Sequence, residues 1–300
     1  MLKLDSALVF VTAAEAGSIS EAARRLQIAK SVASERLADL ERSLGATLMH
    51  RTTRRLSLTE DGAAFLARAR RIVREVEDAS AELSERRGEL VGPLRISAPV
   101  SFGSLHVGPA LYAFLKAHPR IDLSLELDDR FVGAGDGFDA IIRHGPIVDS
   151  SLTVKRLAPS KRLLAAAPDY IEQKGTPRKL ADLERHFGII YSHRGAADWR
   201  FRQSGRWVSV RPGQMLRVNN GVVMRDAAIA GLGVALLPSF LIYQALAAKT
   251  LTTIDVGADA ESATVFVAYP SGRRVSAKVL ALIKHLRAAF GAPPYWDGAR

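Results

Sequence analysis

The chain has 300 residues, 48% of them hydrophobic, a formal net charge of +11 and no cysteine. The missing thiols exclude disulfides, thiolate metal sites, a cysteine nucleophile and a thiol redox switch together. No apolar run reaches the roughly 18–20 residues that span a bilayer, and Met1-Leu2-Lys3-Leu4-Asp5 lacks the apolar region of an export signal, so a cytoplasmic protein with no membrane partner is expected.

Charge alone decides little. Residues 1–92 hold 15 Lys+Arg against 14 Asp+Glu, and residues 93–300 hold 27 against 17. The surplus serves phosphate attraction or plain solubility equally well, so any nucleic-acid argument must rest on pattern.

In chain order, Leu4, Leu8, Phe10, Val11 and Ala14 supply the core face of a first helix. Gly17 suits a tight turn, and Ser18 with Glu21 reads as a capping box opening a short, Ala-rich second helix. Ile28, Val32, Leu37, Leu40 and Leu44 give a third helix its apolar stripe and leave Lys30, Ser31, Ser34 and Arg36 facing outward. Short polar and basic groups at the start of an exposed helix are what major-groove reading requires. Gly45 fits the helix C-cap, and Leu48–Arg51 and Leu56–Leu58 form two short strands of a wing around Thr52, Thr53, Arg54 and Arg55. That basic, threonine-bearing turn suits phosphate or the minor groove.

Thr59 caps the next helix, with Glu60 and Asp61 at the positive end of its dipole. Leu66, Ala69, Val73, Val76, Ser80 and Leu83 then follow a three-four spacing among charged neighbours. Such a seam serves a helix–helix dimer or packing on its own domain. A dimer presents two recognition helices to half-sites about one helical turn apart, roughly 34–36 Å.

Gly92-Pro93 ends the helical pattern. Strands are expected at Leu94–Ser97, Ile121–Leu127, Phe138–Ile142, Arg162–Ala166, Phe187–Tyr191, Val234–Leu237 and Ala263–Tyr269. Helices are expected at Gly103–Ala117, Val222–Ala230 and Ser276–Phe290. This is an α/β pattern with material for two small lobes.

These features together resemble the LysR-type transcriptional regulators, and within them the CrgA-like branch. The residues that carry the resemblance are Ala22 through Leu44, Arg51 through Gly62, Gly92-Pro93-Leu94-Arg95-Ile96-Ser97-Ala98-Pro99 and Gly231-Leu232-Gly233-Val234-Ala235-Leu236-Leu237-Pro238. The resemblance implies a winged helix-turn-helix over 1–58, a dimerising linker helix over 59–91 and an α/β effector domain like a periplasmic binding protein over 92–300. Lobe I would hold about 92–162 and 268–300, and lobe II about 163–267. It also implies homotetramers, double-stranded DNA as partner and a small-molecule effector between the lobes. Carried over by position, the DNA contacts fall on Lys30, Ser31, Ser34, Glu35 and Arg36, with the wing at Arg51, Thr52, Thr53, Arg54 and Arg55. The sequence departs from the common pattern, which offers a Ser-Gln pair at Ala29-Lys30 and a basic residue at Glu35. Glu35 would accept from cytosine or brace Arg36.

Ligands of open α/β lobes sit beyond strand ends and at helix amino termini. Pro99, Val100, Ser101, Phe102 and Gly103 make one such place, and Arg143 with His144 after a strand ending at Ile142 another. Ser192, His193, Asn219, Asn220 and Gly221 would complete the pocket from the second lobe. Their chemistry suits a small polar or anionic molecule with some apolar or aromatic character. Arg143 alternatively pairs with Asp139 as scaffold, and His144 and His193 also read as ordinary loop residues. The Gly133–Gly137 segment is short and glycine-rich, which weakens the short helix the resemblance implies there.

Enzymatic readings find little support. The seven histidines show no metal-ligand spacing, and neither a Gly-x-Ser-x-Gly elbow nor a Walker loop is present, so no metal, cofactor or catalytic residue is expected. A triad assembled in space would leave the first ninety residues unexplained. An exported solute-binding protein would need an export signal.

Overall fold

The computed structural model describes residues 2–51, 56–85, 89–130, 133, 136–192, 199–271 and 275–298. The chain divides into two compact units, Met1–Pro93 and Leu94–Arg300.

In the first unit, α1 (Leu4–Ala16), α2 (Ile19–Arg25) and α3 (Lys30–Leu44) precede a two-stranded ribbon, β1 (Met49–Arg51) and β2 (Leu56–Leu58), and a long helix α4 (Glu60–Glu85). β1 and β2 pair antiparallel, with His50 opposite Ser57. Because α1 packs against α2, α3 and α4 at once, its buried surface is wider than a single stripe. Ala7, Val9, Phe10, Val11 and Ala13 are all buried, whereas Leu4 is exposed and Leu8 and Ala14 are half-buried. On α3 the buried positions are Ala33, Leu37 and Leu40, and Leu44 is exposed where the helix ends at Gly45, a left-handed C-cap.

The caps follow the sequence in part. The Ser18 hydroxyl accepts from the Glu21 N–H at 3.4 Å, but the Glu21 carboxylate turns to Arg24 and Arg25 instead of completing the box. Those guanidiniums hold its carboxyl down at about 2. The Thr59 hydroxyl accepts from Gly62 N–H at 2.9 Å. Gly62 itself is dictated by close approach, since a Cβ there would lie 2.0 Å from the Leu48 carbonyl oxygen.

The expected seam of α4 divides along its length. Leu66, Ala69 and Val73 pack into the unit's own core with Phe10 and Val11. Further along, Val76 and Leu83 are 42% and 59% exposed, as is Ile72 at 43%.

The second unit opens with β3 (Gly92–Ala98), α5 (Val100–Phe102), α6 (Gly108–Ala117), β4 (Ile121–Leu127), β5 (Ala140–His144) and β6 (Leu152–Ser160). The middle holds β7 (Arg162–Ala166), α7 (Pro168–Lys174), β8 (Phe187–Tyr191), β9 (Arg200–Gln203), β10 (Arg206–Ser209), β11 (Gly213–Val218) and α8 (Gly221–Ile229). Then come β12 (Val234–Pro238), α9 (Ser239–Ala247), β13 (Thr252–Thr253), β14 (Asp259–Ala260), β15 (Ala263–Pro270), α10 (Ala277–Phe290) and α11 (Tyr295–Gly298).

Two five-stranded sheets result, one ordered β4-β3-β5-β15-β6 and the other β11-β8-β12-β7-β13, with β10-β9-β14 as a small third sheet. Each five-stranded sheet is mixed: β3 runs parallel to β5 while β15 runs antiparallel to β5 and β6, and β8 runs parallel to β11 and β12 while β7 runs antiparallel to β12. The chain crosses between lobes at Ser160–Arg162 and returns before Ala263, so the whole of β15 belongs to the first sheet.

Three local differences from the sequence reading have physical causes. Arg143 and His144 do not follow a strand; they are its last residues, because they pair with Phe266 and Val265 of β15. The helix expected at Gly103–Ala117 begins with a π turn over Gly103–Val107, in which Gly108 N–H reaches the Gly103 carbonyl. Pro109, with no N–H to donate to the preceding turn, sits just beyond that widening. Helix α9 was not legible as a helix, because Phe240, Leu241, Ile242 and Ala245 bury most of its surface and leave no polar face to mark a period.

Candidate nucleic-acid interface and ligand cavity

On α3 the side chains of Lys30, Ser31 and Glu35 are exposed and those of Ser34 and Arg36 half-buried. They share one side because Ala33, Leu37 and Leu40 hold the other in the core. The helix starts behind Ala29 with no side chain capping its first turn, so its leading N–H groups stay available to an anion.

Arg36 is not free, as periodicity suggested, nor is it braced by Glu35. Its Nη2 lies 3.3 Å from Asp5 Oδ2 on α1. The pair is solvent-exposed and of the kind worth about 0–1 kcal/mol, so a phosphate or base edge can displace it. At the wing, Arg51 closes β1, while its side chain and residues Thr52, Thr53, Arg54 and Arg55 lie outside the described residues.

In the second unit a cavity of about 240 Å³ lies between the lobes. Lobe I contributes Pro99, Ser101, Phe102, Asp129, Arg143 and His144; lobe II contributes Arg162, Tyr191, Gly221 and Met224, with Leu236 through Pro238 of β12 and Phe240 and Leu241 of α9. Of the positions singled out from sequence, six therefore meet in one space. Val100 and Gly103 do not line it. Gly103 faces Leu127 and Ala98, and a Cβ there would fall 2.3 Å from the Leu127 side chain. Ser192 donates its N–H to the Val218 carbonyl, Asn219 is exposed, Asn220 caps α8, and His193 lies outside the described residues.

Arg143 is 8% exposed. Its guanidinium donates to the carbonyls of Ile142 and Arg130, at 2.7 and 3.1 Å, and to the Ser97 hydroxyl at 2.9 Å. Burial pushes its pKa down from the ordinary value, opposed by Asp128 and Asp129. The scaffold pairing with Asp139 does not form, because that carboxylate accepts from the Arg95 N–H at 2.7 Å. His144 Nε2 lies 3.0 Å from the Ser160 hydroxyl, and its ring stands edge-on to Phe240 at 5.4 Å.

Behind the cavity stands an aromatic buttress that the sequence did not reveal. Phe102 and Phe240, both cavity walls, pack against Trp296 of α11 at 5.8 and 6.4 Å between ring centroids. His106, 2% exposed, bridges the same groups: Nδ1 lies 2.5 Å from the Tyr295 hydroxyl and Nε2 3.1 Å from the Phe240 carbonyl. Nε2 carries the proton, since a carbonyl can only accept, and Nδ1 accepts from tyrosine. Burial pulls this imidazole down to about 4.

Comparison with known proteins covers both units. Residues 4–63 match the bacterial regulatory helix-turn-helix protein, lysR family, and residues 87–291 match the LysR substrate binding domain. The chain is 32% identical to the HTH-type transcriptional regulator PtxR of Pseudomonas aeruginosa, covering 98% of this chain and 95% of PtxR. Among solved structures it is similar to the full-length virulence activator AphB of Vibrio cholerae, with a TM-score of 0.62 and 25% identity over 95% of this chain and 99% of that one. It is also similar to CrgA, a LysR-type transcriptional regulator from Neisseria meningitidis, with a TM-score of 0.58 and 27% identity over 95% and 96%.

Proposed function

Because the chain belongs to the LysR family of transcriptional regulators, with a helix-turn-helix DNA-binding domain and an effector-binding domain, we propose which of its residues do the work. Helix α3 enters the major groove, with Lys30, Ser31, Ser34, Glu35 and Arg36 contacting base edges or phosphates and Arg51 through Arg55 gripping the flanking backbone. The observation that carries this reading is the polar, uncapped start of α3, standing opposite a buried face, with Arg36 held by the displaceable Asp5 pair. The protein acts as a cytoplasmic regulator without enzymatic activity.

Residues 1–58 form the winged domain, 59–91 the linker and 92–300 the effector domain. The outer half of α4, where Val76 and Leu83 are exposed, supports dimerisation with a second copy, and dimers pair into tetramers. The inter-lobe cavity receives the effector, which acts through different affinity for two subunit arrangements.

Lys30→Ala and Arg36→Ala test the first part directly. Each is expected to weaken operator binding by about 1–3 kcal/mol without lowering the thermal midpoint. A footprint unchanged in strength and sequence preference in both variants contradicts it.

A further inference from the structure

The backbone passes between the lobes at Ser160–Arg162 and again before Ala263. Side chains make a third join. Helix α9 of lobe II carries Phe240 and Tyr243, and Phe240 stands edge-on to four rings of lobe I: Phe102 at 4.9 Å, His144 at 5.4 Å, His106 at 5.5 Å and Trp296 at 6.4 Å. Tyr243 meets Tyr295 at 5.9 Å and His106 at 6.1 Å. Two hydrogen bonds run through the same place, from His106 Nε2 to the Phe240 carbonyl and from the Tyr295 hydroxyl to His106 Nδ1. A knob from one lobe thus fills an aromatic socket of the other. Helix α11 is on the socket's side, because α10, which leads into it, packs on α6 and β6 of lobe I. Its contact with α9 therefore crosses between the lobes.

Three features set this join apart from permanent core. Helix α11 is four residues long and hangs from α10 through Gly291-Ala292-Pro293-Pro294. Tyr295 is 43% exposed, so only part of the element is covered. The Trp296 indole N–H is buried without an acceptor, a cost that water would remove on release. Ring contacts hold the element down while its unpaired donor favours letting go, which is the balance of a part that docks and undocks. Neither Tyr295 nor Trp296 lines the inter-lobe cavity; Trp296 stands behind Phe102 and Phe240, which do.

We infer that α11 is a strap across the lobes. Docked, it holds α9 against lobe I and limits how far the lobes part; undocked, it frees them to swing about the two backbone crossings. Trp296 and Tyr295 are thus positioning residues, acting on lobe movement through Phe240 and Tyr243 without touching anything in the cavity. That lobe movement reaches the helix-turn-helix rests on the proposed reading of the effector domain, whereas the strap itself does not.

Because the chain has no cysteine, one introduced thiol can report on opening in the full-length protein. Ser101→Cys places it on the lobe I wall in a residue 9% exposed, opposite Gly221 of lobe II, where an added Cβ would lie 3.4 Å from the Ser101 hydroxyl oxygen. Its rate of reaction with fluorescein maleimide, a reagent too large for a cavity of about 240 Å³, follows the population of open lobes. Ala165→Cys, buried in the sheet of lobe II, is the control for loosening of the whole fold. Trp296→Ala is expected to speed labelling of the first thiol at least about fivefold, the factor of a single aromatic pair, and to leave the control thiol unchanged. Tyr295→Ala, at an exposed position, is expected to act in the same direction and keeps the test open should Trp296→Ala fail to fold. Trp296→Phe keeps a ring, drops the orphaned N–H and is expected to label at the wild-type rate. Unchanged labelling in both alanine variants, equal acceleration of both thiols, or a Trp296→Phe rate matching that of Trp296→Ala overturns the inference. Operator binding is measured on the same chains. Variants that open the lobes and leave operator affinity unchanged uphold the strap and contradict the proposed coupling of the effector domain to DNA, whereas variants that change both uphold the two together.

Discussion

The two units leave different groups unsatisfied, and in different places. In the first, an uncapped helix start and a row of polar side chains lie on the surface along one 15-residue helix, α3. In the second, the Nε–H of Arg143 is buried without an acceptor, at a cavity whose walls the chain gathers from strands and helices of both lobes. A surface left open on one continuous element suits a long, regular, charged partner. A cavity walled from separate elements suits a small one that must be enclosed.

Close packing offers the harshest way to break this comparison. Each unit has a glycine pressed hard against a distant backbone: a Cβ on Gly62 would lie 2.0 Å from the Leu48 oxygen, and one on Gly233 would lie 2.4 Å from the Phe187 oxygen. Gly62→Ala and Gly233→Ala are each expected to cost about 3 kcal/mol or more, since carbonyls in a ribbon or sheet cannot step aside. Gly62→Ala should abolish operator binding and leave the second unit folded, with Gly233→Ala destabilising the second unit and sparing the fold of the first. Operator titration and limited proteolysis of both variants check this, and unfolding of both units in either variant would deny the division of labour.

Acid sharpens the contrast, with a smaller effect. His106 titrates at about 4 in the folded chain, against an ordinary value of 6.5, because burial disfavours the imidazolium. As pH falls below about 6.5 the unfolded chain takes up its proton first, so stability held above that value is lost on the way down to about 4, on the order of 3 kcal/mol in all. Urea unfolding between pH 7 and 4.5 should show this slope in wild type and a flatter one in His106→Phe. Identical slopes would remove His106 from the buttress.

The mildest change acts on α3. Ala29→Ser supplies the missing N-cap and should raise the stability of the first unit by about 1 kcal/mol in thermal unfolding. No gain would mean that the helix start is already satisfied.

The same contrast explains what was legible in the sequence. The first unit is written in short-range periodicity: Leu37 and Leu40 mark the core face of α3, and Thr59 marks the start of α4 three residues before the glycine it caps. Pairing of the wing strands also followed from adjacency. What local pattern did not carry was the Asp5–Arg36 contact, made across two helices, and the way α4 spends Leu66, Ala69 and Val73 on its own domain.

In the second unit, alternation revealed most strands, and the turn before α5 pointed to Pro99, Ser101 and Phe102. Asp129, Arg162 and Tyr191 gave no such signal, because each meets the cavity only through the register of its sheet or loop. Helix α9 was silent because it is apolar nearly all round, and so the open amino end it presents could not be seen. Trp296 and Tyr295 were invisible for a different reason: their partners, Phe102, His106 and Phe240, are distant in sequence and meet them only in space.

The central claim is that the outward face of α3 reads a duplex while a twin subunit holds it in register. Genome-wide footprinting with the purified full chain at moderate ionic strength tests it most directly. Discrete protected sites are predicted, each built of two half-sites about one helical turn, roughly 34–36 Å, apart and lost in Lys30→Ala and Arg36→Ala. Protection spread without preference over all fragments, or discrete sites indifferent to both substitutions, would contradict it.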